Sequence, residues 1–266
     1  RDSIDTNKYF VVCANYLGGC YGSTGPNSIN IKTEKIYGDD FPFISFKDIE
    51  ISQKLLLDDL GIVSLEAVIG PSIGGLMALE FSLLYPDYVK NLISISSGYR
   101  LSTIQLLHNL EQAYILDLAK SSNGREAEYL SLARMIAHKT YISLELLSSR
   151  AKDESKYDKN FLKGFLSTSQ ESYMMHQGEK FIQRFTPDSY NSIIKGWQNF
   201  YIDTKEIKKL ENINVLIISV DSDVCFYPEE QVEFENLLKE NGIKTTMKVI
   251  NSTKGHDCFL LEPELF

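Results

Sequence analysis

The stretch Gly70-Pro71-Ser72-Ile73-Gly74 sets a serine between two glycines, and its flanks restrict the fold more than any other feature of the chain. Ala67 to Gly70 enters it as a short apolar run that reads as a buried strand, and Ile73 to Tyr85 leaves it as a helix stopped at Pro86. A chain that passes from strand to helix in so few residues makes a sharp, strained turn, and side chains beside the serine would collide with the strand and the helix. Such a turn lifts the Ser72 hydroxyl beside the N-terminus of the helix. Free N–H groups and a partial positive charge there stabilise an oxyanion, with the N–H of Ile73 as the expected donor. Serine is also a favoured helix N-cap, and G-x-S-x-G is short enough to arise by chance. The strand before it and the helix after it favour the nucleophile. Pro71 removes one backbone donor at the strand end, but its fixed φ suits an extended approach.

The remaining elements extend this pattern. Tyr9 to Ala14 reads as a buried strand and is followed by a turn-rich stretch from Asn15 to Asn30. Phe46 to Leu60 reads as a helix closed by Gly61. Further strands are expected at Leu92–Ser96, Val215–Val220 and Thr246–Ile250, with a helix over about Glu229–Asn241. Alternating strands and helices predict a mostly parallel α/β sheet with helices on both faces. Between Ser102 and Lys208 the patterns are helical with no convincing strand. The chain therefore divides into a core of residues 1–101 and 209–266 and a helical lid insertion of residues 102–208, covering a pocket at the strand ends.

Composition narrows the partners. The chain has 266 residues, enough for one α/β domain, and a net charge of -9, which disfavours nucleic-acid phosphates and anionic membranes. No apolar run is long enough to span a bilayer, and the polar first residues do not resemble a signal peptide. Cys13, Cys20, Cys225 and Cys258 form no CxxC pair and have no zinc-ligand spacing, so no metal is expected. They read as reduced thiols of a cytoplasmic protein.

A serine hydroxyl needs a base. Of the four histidines, His108, His138 and His176 lie in the helical segment, whereas His256 follows the last strand. Asp221 and Asp223 both follow the strand before it, and either could orient the imidazole. Position favours Asp223, which lies farther past the strand end; one or both could instead cap the turn into the next helix. The order Ser, Asp, His and the base in a loop after the last strand are those of an α/β-hydrolase fold.

Longer segments carry a more specific likeness. Asn15-Tyr-Leu-Gly-Gly-Cys-Tyr-Gly-Ser-Thr-Gly-Pro26, Tyr85-Pro-Asp87, Leu132-Ala-Arg-Met135, Gln177-Gly-Glu-Lys-Phe181 with Arg184-Phe185, Ser222-Asp223 and Gly255-His-Asp257 resemble the homoserine O-acetyltransferases along nearly the whole chain. The resemblance implies a ping-pong reaction. Ser72 takes an acetyl group from acetyl-CoA as co-substrate, and the L-homoserine hydroxyl then takes it from Ser72, with His256 as general base and acid. It implies Asp223 as the aspartate of the triad, Arg134 as the grip on the substrate α-carboxylate, and Asp257 as the partner of its α-ammonium. Without the resemblance, Arg134 reads as a surface charge and Asp257 as a loop cap. The resemblance further implies a role in methionine biosynthesis, a homodimer, and no bound cofactor.

The chain also departs from the family pattern. The family usually begins with additional strands, one leading into a loop that gives a second oxyanion N–H, and ends with a further helix. The chain thus reads as an incomplete sequence, with that donor expected upstream of it. The segment Asn109–Tyr114 lacks an arginine that many relatives have, and Trp197–Tyr201 matches poorly. Three other activities use the same machinery: homoserine O-succinyltransfer, serine O-acetyltransfer, and ester hydrolysis. Arg134 and Asp257 argue against the last, because an esterase needs no amino-acid clamp. A non-catalytic binding module is a further reading, against which Ser72, Asp223 and His256 stand.

Overall fold

The computed structural model describes residues 4–150 and 168–266. A short antiparallel hairpin, β1 (Ile29–Asn30) and β2 (Lys35–Ile36), lies within the turn-rich N-terminal region. Helix α1 (Phe46–Asp59) follows, started by Ser45, whose hydroxyl accepts from the Asp48 N–H while Asp48 accepts from the Ser45 N–H. The core then runs β3 (Val68–Pro71), α2 (Ile73–Leu84) and β4 (Asn91–Ile95). Among the described residues, five helices come next: α3 (Thr103–Ala119), α4 (Glu126–His138), α5 (Leu144–Arg150), α6 (Ser169–Phe181) and α7 (Pro187–Gln198). The core resumes with β5 (Asn214–Val220), α8 (Pro228–Glu240), β6 (Thr245–Ile250) and the short α9 (Cys258–Leu261).

Strands β3, β4, β5 and β6 form one sheet in that order, and every neighbouring pair is parallel. Alternation along the strands sends Leu92, Val215 and Ile217 into a core with Leu79 and Phe81 of α2 and Phe234 and Leu238 of α8. Burying a side chain of this size contributes about 1.5–3 kcal/mol, so these residues fix the sheet against its helices. The intervening Ile93, Leu216 and Ile218 are half-buried.

A second cluster joins α1 to α2 through Phe46, Ile49, Leu76 and Met77, and includes Phe200 and Phe226. A third lies among α3, α4, α6 and α7, where Leu116, Leu130, Phe181, Tyr190 and Ile194 meet. The helices between β4 and β5 thus have a core of their own.

One expected strand is absent. Tyr9–Ala14 has no strand structure, and Tyr9, Phe10, Val11 and Val12 are exposed, Phe10 by 78%. A strand is stabilised by its neighbours, and an apolar run that pairs with none stays irregular however well its composition suits a sheet.

Candidate active site

Three loops at the C-terminal ends of the parallel strands converge: Ser72 after β3, Asp223 after β5 and His256 after β6. Ser72 is the residue between strand and helix, with φ 57° and ψ -131°. A non-glycine residue there is strained by about 1–3 kcal/mol, and such strain persists only where the surroundings hold it. Its hydroxyl caps nothing in α2. It reaches His256 Nε2 at 2.8 Å instead.

The glycines around Ser72 divide the steric work unevenly. A Cβ on Gly70 would stand 1.9 Å from the carbonyl oxygen of Gly74, and one on Gly75 would stand 2.4 Å from Ser97 Cβ. At Gly74 the nearest atom would be Pro71 Cδ at 3.5 Å, an ordinary contact. The tight turn therefore requires glycine at 70 and 75, one of which lies outside the five-residue motif.

His256 is buried, and its Nδ1 lies 2.7 Å from Asp223 Oδ2. With the Nδ1–H donated to Asp223, Nε2 is left to accept the Ser72 proton. The other oxygen, Asp223 Oδ1, accepts from the N–H groups of Cys225 and Phe226 at 2.8 and 2.9 Å. It is Asp223 and not Asp221 that reaches the imidazole. Asp221 Oδ1 accepts from the Ser252 N–H and so ties the two loops together from outside.

Burial pushes the His256 pKa down, but the charge and hydrogen bond of Asp223, with the charge of Asp257, outweigh it and leave it raised above the ordinary value. Aromatic rings enclose the imidazole. Phe226 stacks on it at 5.5 Å, Phe259 meets it edge-on at 5.6 Å, and Tyr141 lies 6.1 Å away.

Ile73 is the first residue of α2, so its N–H has no partner within the helix. The turn-rich loop comes to the same place. Tyr16 and Leu17 join the cluster that contains Ile73, and the Tyr16 hydroxyl lies 3.9 Å from where a Gly74 Cβ would stand.

Arg134 and Asp257 meet at Tyr141. The Arg134 guanidinium lies over the rings of Tyr141 and Phe181, at 4.9 and 4.8 Å, and the Asp257 N–H donates to the Tyr141 carbonyl at 2.8 Å. The Arg134 cation thus covers an aromatic side chain beside His256, and the backbone of that same residue holds the backbone of Asp257. Burial pushes the Tyr141 hydroxyl well above its ordinary pKa, with the Tyr190 hydroxyl a further cause and Arg134 opposing, so it stays a neutral donor. Tyr141 belongs to the site by position alone and lies in no segment singled out from the sequence, whereas Tyr16 lies in the Asn15–Pro26 segment that carries the family likeness.

Among the described residues, no three His, Cys, Asp or Glu side chains gather as metal ligands, and no helix is long and apolar enough to cross a membrane. All four cysteines are free, Cys225 and Cys258 being buried.

A parallel sheet with a Ser–His–Asp chain on the loops at its strand ends defines the α/β hydrolases, and the model of the α/β hydrolase fold family matches residues 2–263. Relatives narrow the class: the chain is 38% identical over 275 residues to a homoserine O-acetyltransferase of Methanococcus vannielii, covering 97% of this chain and 55% of that protein. The chain belongs to the homoserine O-acetyltransferase family of the α/β hydrolase fold. It is also 38% identical over 277 residues to a homoserine O-succinyltransferase of Hydrogenovibrio crunogenus, covering 97% of this chain and 71% of that protein. The crystal structure of homoserine O-acetyltransferase from Bacillus anthracis has the same fold, with a TM-score of 0.82 at 24% identity over 92% of this chain and 69% of that one. The chain spans little more than half the length of the Methanococcus relative.

Proposed function

We propose that the chain carries the catalytic machinery of an acyltransferase that moves an acetyl group from acetyl-CoA to the hydroxyl of L-homoserine, through an acyl-Ser72 intermediate. The observation that carries this reading is the continuous relay Ser72 Oγ, His256 Nε2, His256 Nδ1, Asp223 Oδ2, with no gap above 2.8 Å. Family membership supplies the substrates.

In the first half-reaction Ser72 attacks the thioester carbonyl while its proton passes to His256. The Ile73 N–H stabilises the oxyanion, and the departing thiolate takes the proton from His256. In the second half, His256 accepts the proton of the homoserine hydroxyl as that oxygen attacks the acyl carbon, then returns it to Ser72. Asp223 holds the imidazole in the required tautomer and offsets its transient charge. Arg134 grips the α-carboxylate and Asp257 the α-ammonium, which places the hydroxyl of the acceptor rather than water at the acyl group. Helices α3 to α7 act as a lid over this site. The product serves methionine biosynthesis, the enzyme is a cytoplasmic homodimer, and no cofactor stays bound.

Succinyl transfer to homoserine is the second reading, favoured by the likeness to the Hydrogenovibrio protein. One assay separates them. Acetyl-CoA or succinyl-CoA is supplied with homoserine, serine or no acceptor, and free CoA is followed. Release that requires both acetyl-CoA and homoserine is expected. Equal release without an acceptor would identify a hydrolase, and acyl-enzyme formed by Ser72→Ala would show another nucleophile.

A further inference from the structure

A cleft of about 100 Å³ lies between α7, the C-terminal end of α3 and the segment that joins β2 to α1. None of Ser72, Asp223, His256, Arg134 and Asp257 lines it. Several waters fit such a volume, and so does the larger part of a small organic molecule. One face of α7 forms a wall. Asp188, Asn191, Ser192 and Lys195 recur at the three- and four-residue spacing that brings side chains to one side of a helix. Tyr190 and Ile194 of the same helix pack into the third apolar cluster instead. The facing segment supplies Phe41 and Phe43, the latter exposed.

The polar groups of this wall are not spent on the protein. Asn191 is 8% exposed, and its side-chain oxygen has no hydrogen-bond partner. Buried acceptors in native proteins are almost always paired, so this one points to a donor that a ligand brings. Charges of both signs flank it. Asp188 is half-buried and makes no hydrogen bond or ion pair among the described residues; burial and the charge of Asp39 push its pKa up, while Lys120 and Lys195 draw it down. Lys120 is paired with Asp39, whereas Lys195 has no carboxylate at ion-pair distance among the described residues. A lone anion would meet the carboxylates of Asp39 and Asp188, and a lone cation the ammonium groups of Lys120 and Lys195. A molecule carrying both charges is matched. Its ammonium pairs with Asp188 and the Asn191 oxygen, and its carboxylate with Lys195 one helical turn on. An apolar side chain then covers Phe41 and Phe43.

We propose that this cleft binds a free α-amino acid with an apolar side chain, held by Asp188, Asn191 and Lys195 at a site separate from that of the acceptor. The site uses no residue assigned to acyl transfer, so it stands independently of that reading.

The test is a ligand-observed NMR titration with L-norleucine, beside hexanoate and pentylamine, which keep its chain and lack one charge each. L-Norleucine is expected to bind, and each analogue to bind about tenfold more weakly or worse. Asp188→Asn and Lys195→Gln are each expected to weaken norleucine binding about tenfold and to leave the KM for homoserine unchanged. Asn191→Leu, which keeps the volume and removes the acceptor, should do the same; the two charge variants lie on less buried positions and keep the test decisive if it folds poorly. Arg134→Ala is expected to leave norleucine binding as it is. Absence of norleucine binding up to about 10 mM leaves the cleft to water and overturns the proposal. So does equal binding of hexanoate or pentylamine. Binding lost in Arg134→Ala but kept in Asp188→Asn and Lys195→Gln would place the amino acid in the acceptor site and overturn it as well.

Discussion

Gly255 sits so close to the backbone of Ser143 that a Cβ on Gly255 would stand 2.5 Å from the Ser143 nitrogen. The contact joins the His256 loop to the helical segment between β4 and β5. The Ser143 hydroxyl donates to the Thr253 carbonyl, its N–H to the Lys254 carbonyl, and the Asp257 N–H donates to the Tyr141 carbonyl. The base of the proposed reaction is thus positioned by the sheet and by the helices inserted into it.

Gly255→Ala is expected to test this seating. The residue has φ 75°, and the added methyl meets backbone rather than a side chain that can turn away. Displacing a catalytic group by about 1 Å costs on the order of a hundredfold. We expect kcat/KM to fall by about that much while the protein still folds by circular dichroism. Unchanged activity would mean that the loop relaxes freely.

Asp223→Asn and Asp221→Asn should differ sharply. The first removes the acceptor that fixes the His256 tautomer and should lower kcat by about four orders of magnitude. The second loses a hydrogen bond between loops and should cost activity only about severalfold. Steady-state rates of both variants, side by side, check this.

The rate of Ser72 acylation is expected to rise with pH and level off, because the protonated imidazole cannot take the serine proton. The midpoint should lie above the ordinary histidine value near 6.5, since Asp223 and Asp257 together outweigh burial. Asp257→Asn should move it down. Stability carries the same signature: the contribution of this histidine is full below its unfolded pKa and is lost as pH rises through the folded one. Single-turnover acylation across pH measures the midpoint.

Glu50 of α1 is 2% exposed, and burial, with Glu80 adding repulsion, pushes its pKa up to about 8. The folded protein therefore holds a proton that the unfolded chain has released between about pH 4.5 and 8. Stability should fall through that window by up to roughly 1.4 kcal/mol per pH unit from this group. Urea unfolding of Glu50→Gln at pH 5 and pH 9 should show a smaller fall than the native protein. An equal fall would place the effect elsewhere.

Gly75→Ala and Gly74→Ala separate the two glycines after Ser72. An alanine at 75 would drive its Cβ into Ser97 and should destabilise by about 1–3 kcal/mol or more. At 74 the added Cβ makes only ordinary contacts and alanine suits a helix better, so stability should hold or rise. Equilibrium unfolding of both variants decides.

Much of this was legible in the sequence. The strands at β3 to β6 and the helices that flank them follow from short apolar runs and 3.6-residue periodicity, which are local properties. The Ser72 turn was legible for the same reason, since strand, glycines and helix are contiguous. Tyr9–Ala14 shows the limit of such reading: its composition suits a strand, but pairing depends on what lies beside it in space. Position along the chain could favour Asp223 over Asp221 but left both open. Only the tertiary structure brings residues 184 apart in sequence into one hydrogen bond between Ser72 and His256, turns the Asp223 carboxylate to the imidazole, and draws Tyr141, Arg134 and Asp257 together. A turn is fixed by the few residues that make it, whereas a site is fixed by which loops the packed sheet and its helices hold at contact distance.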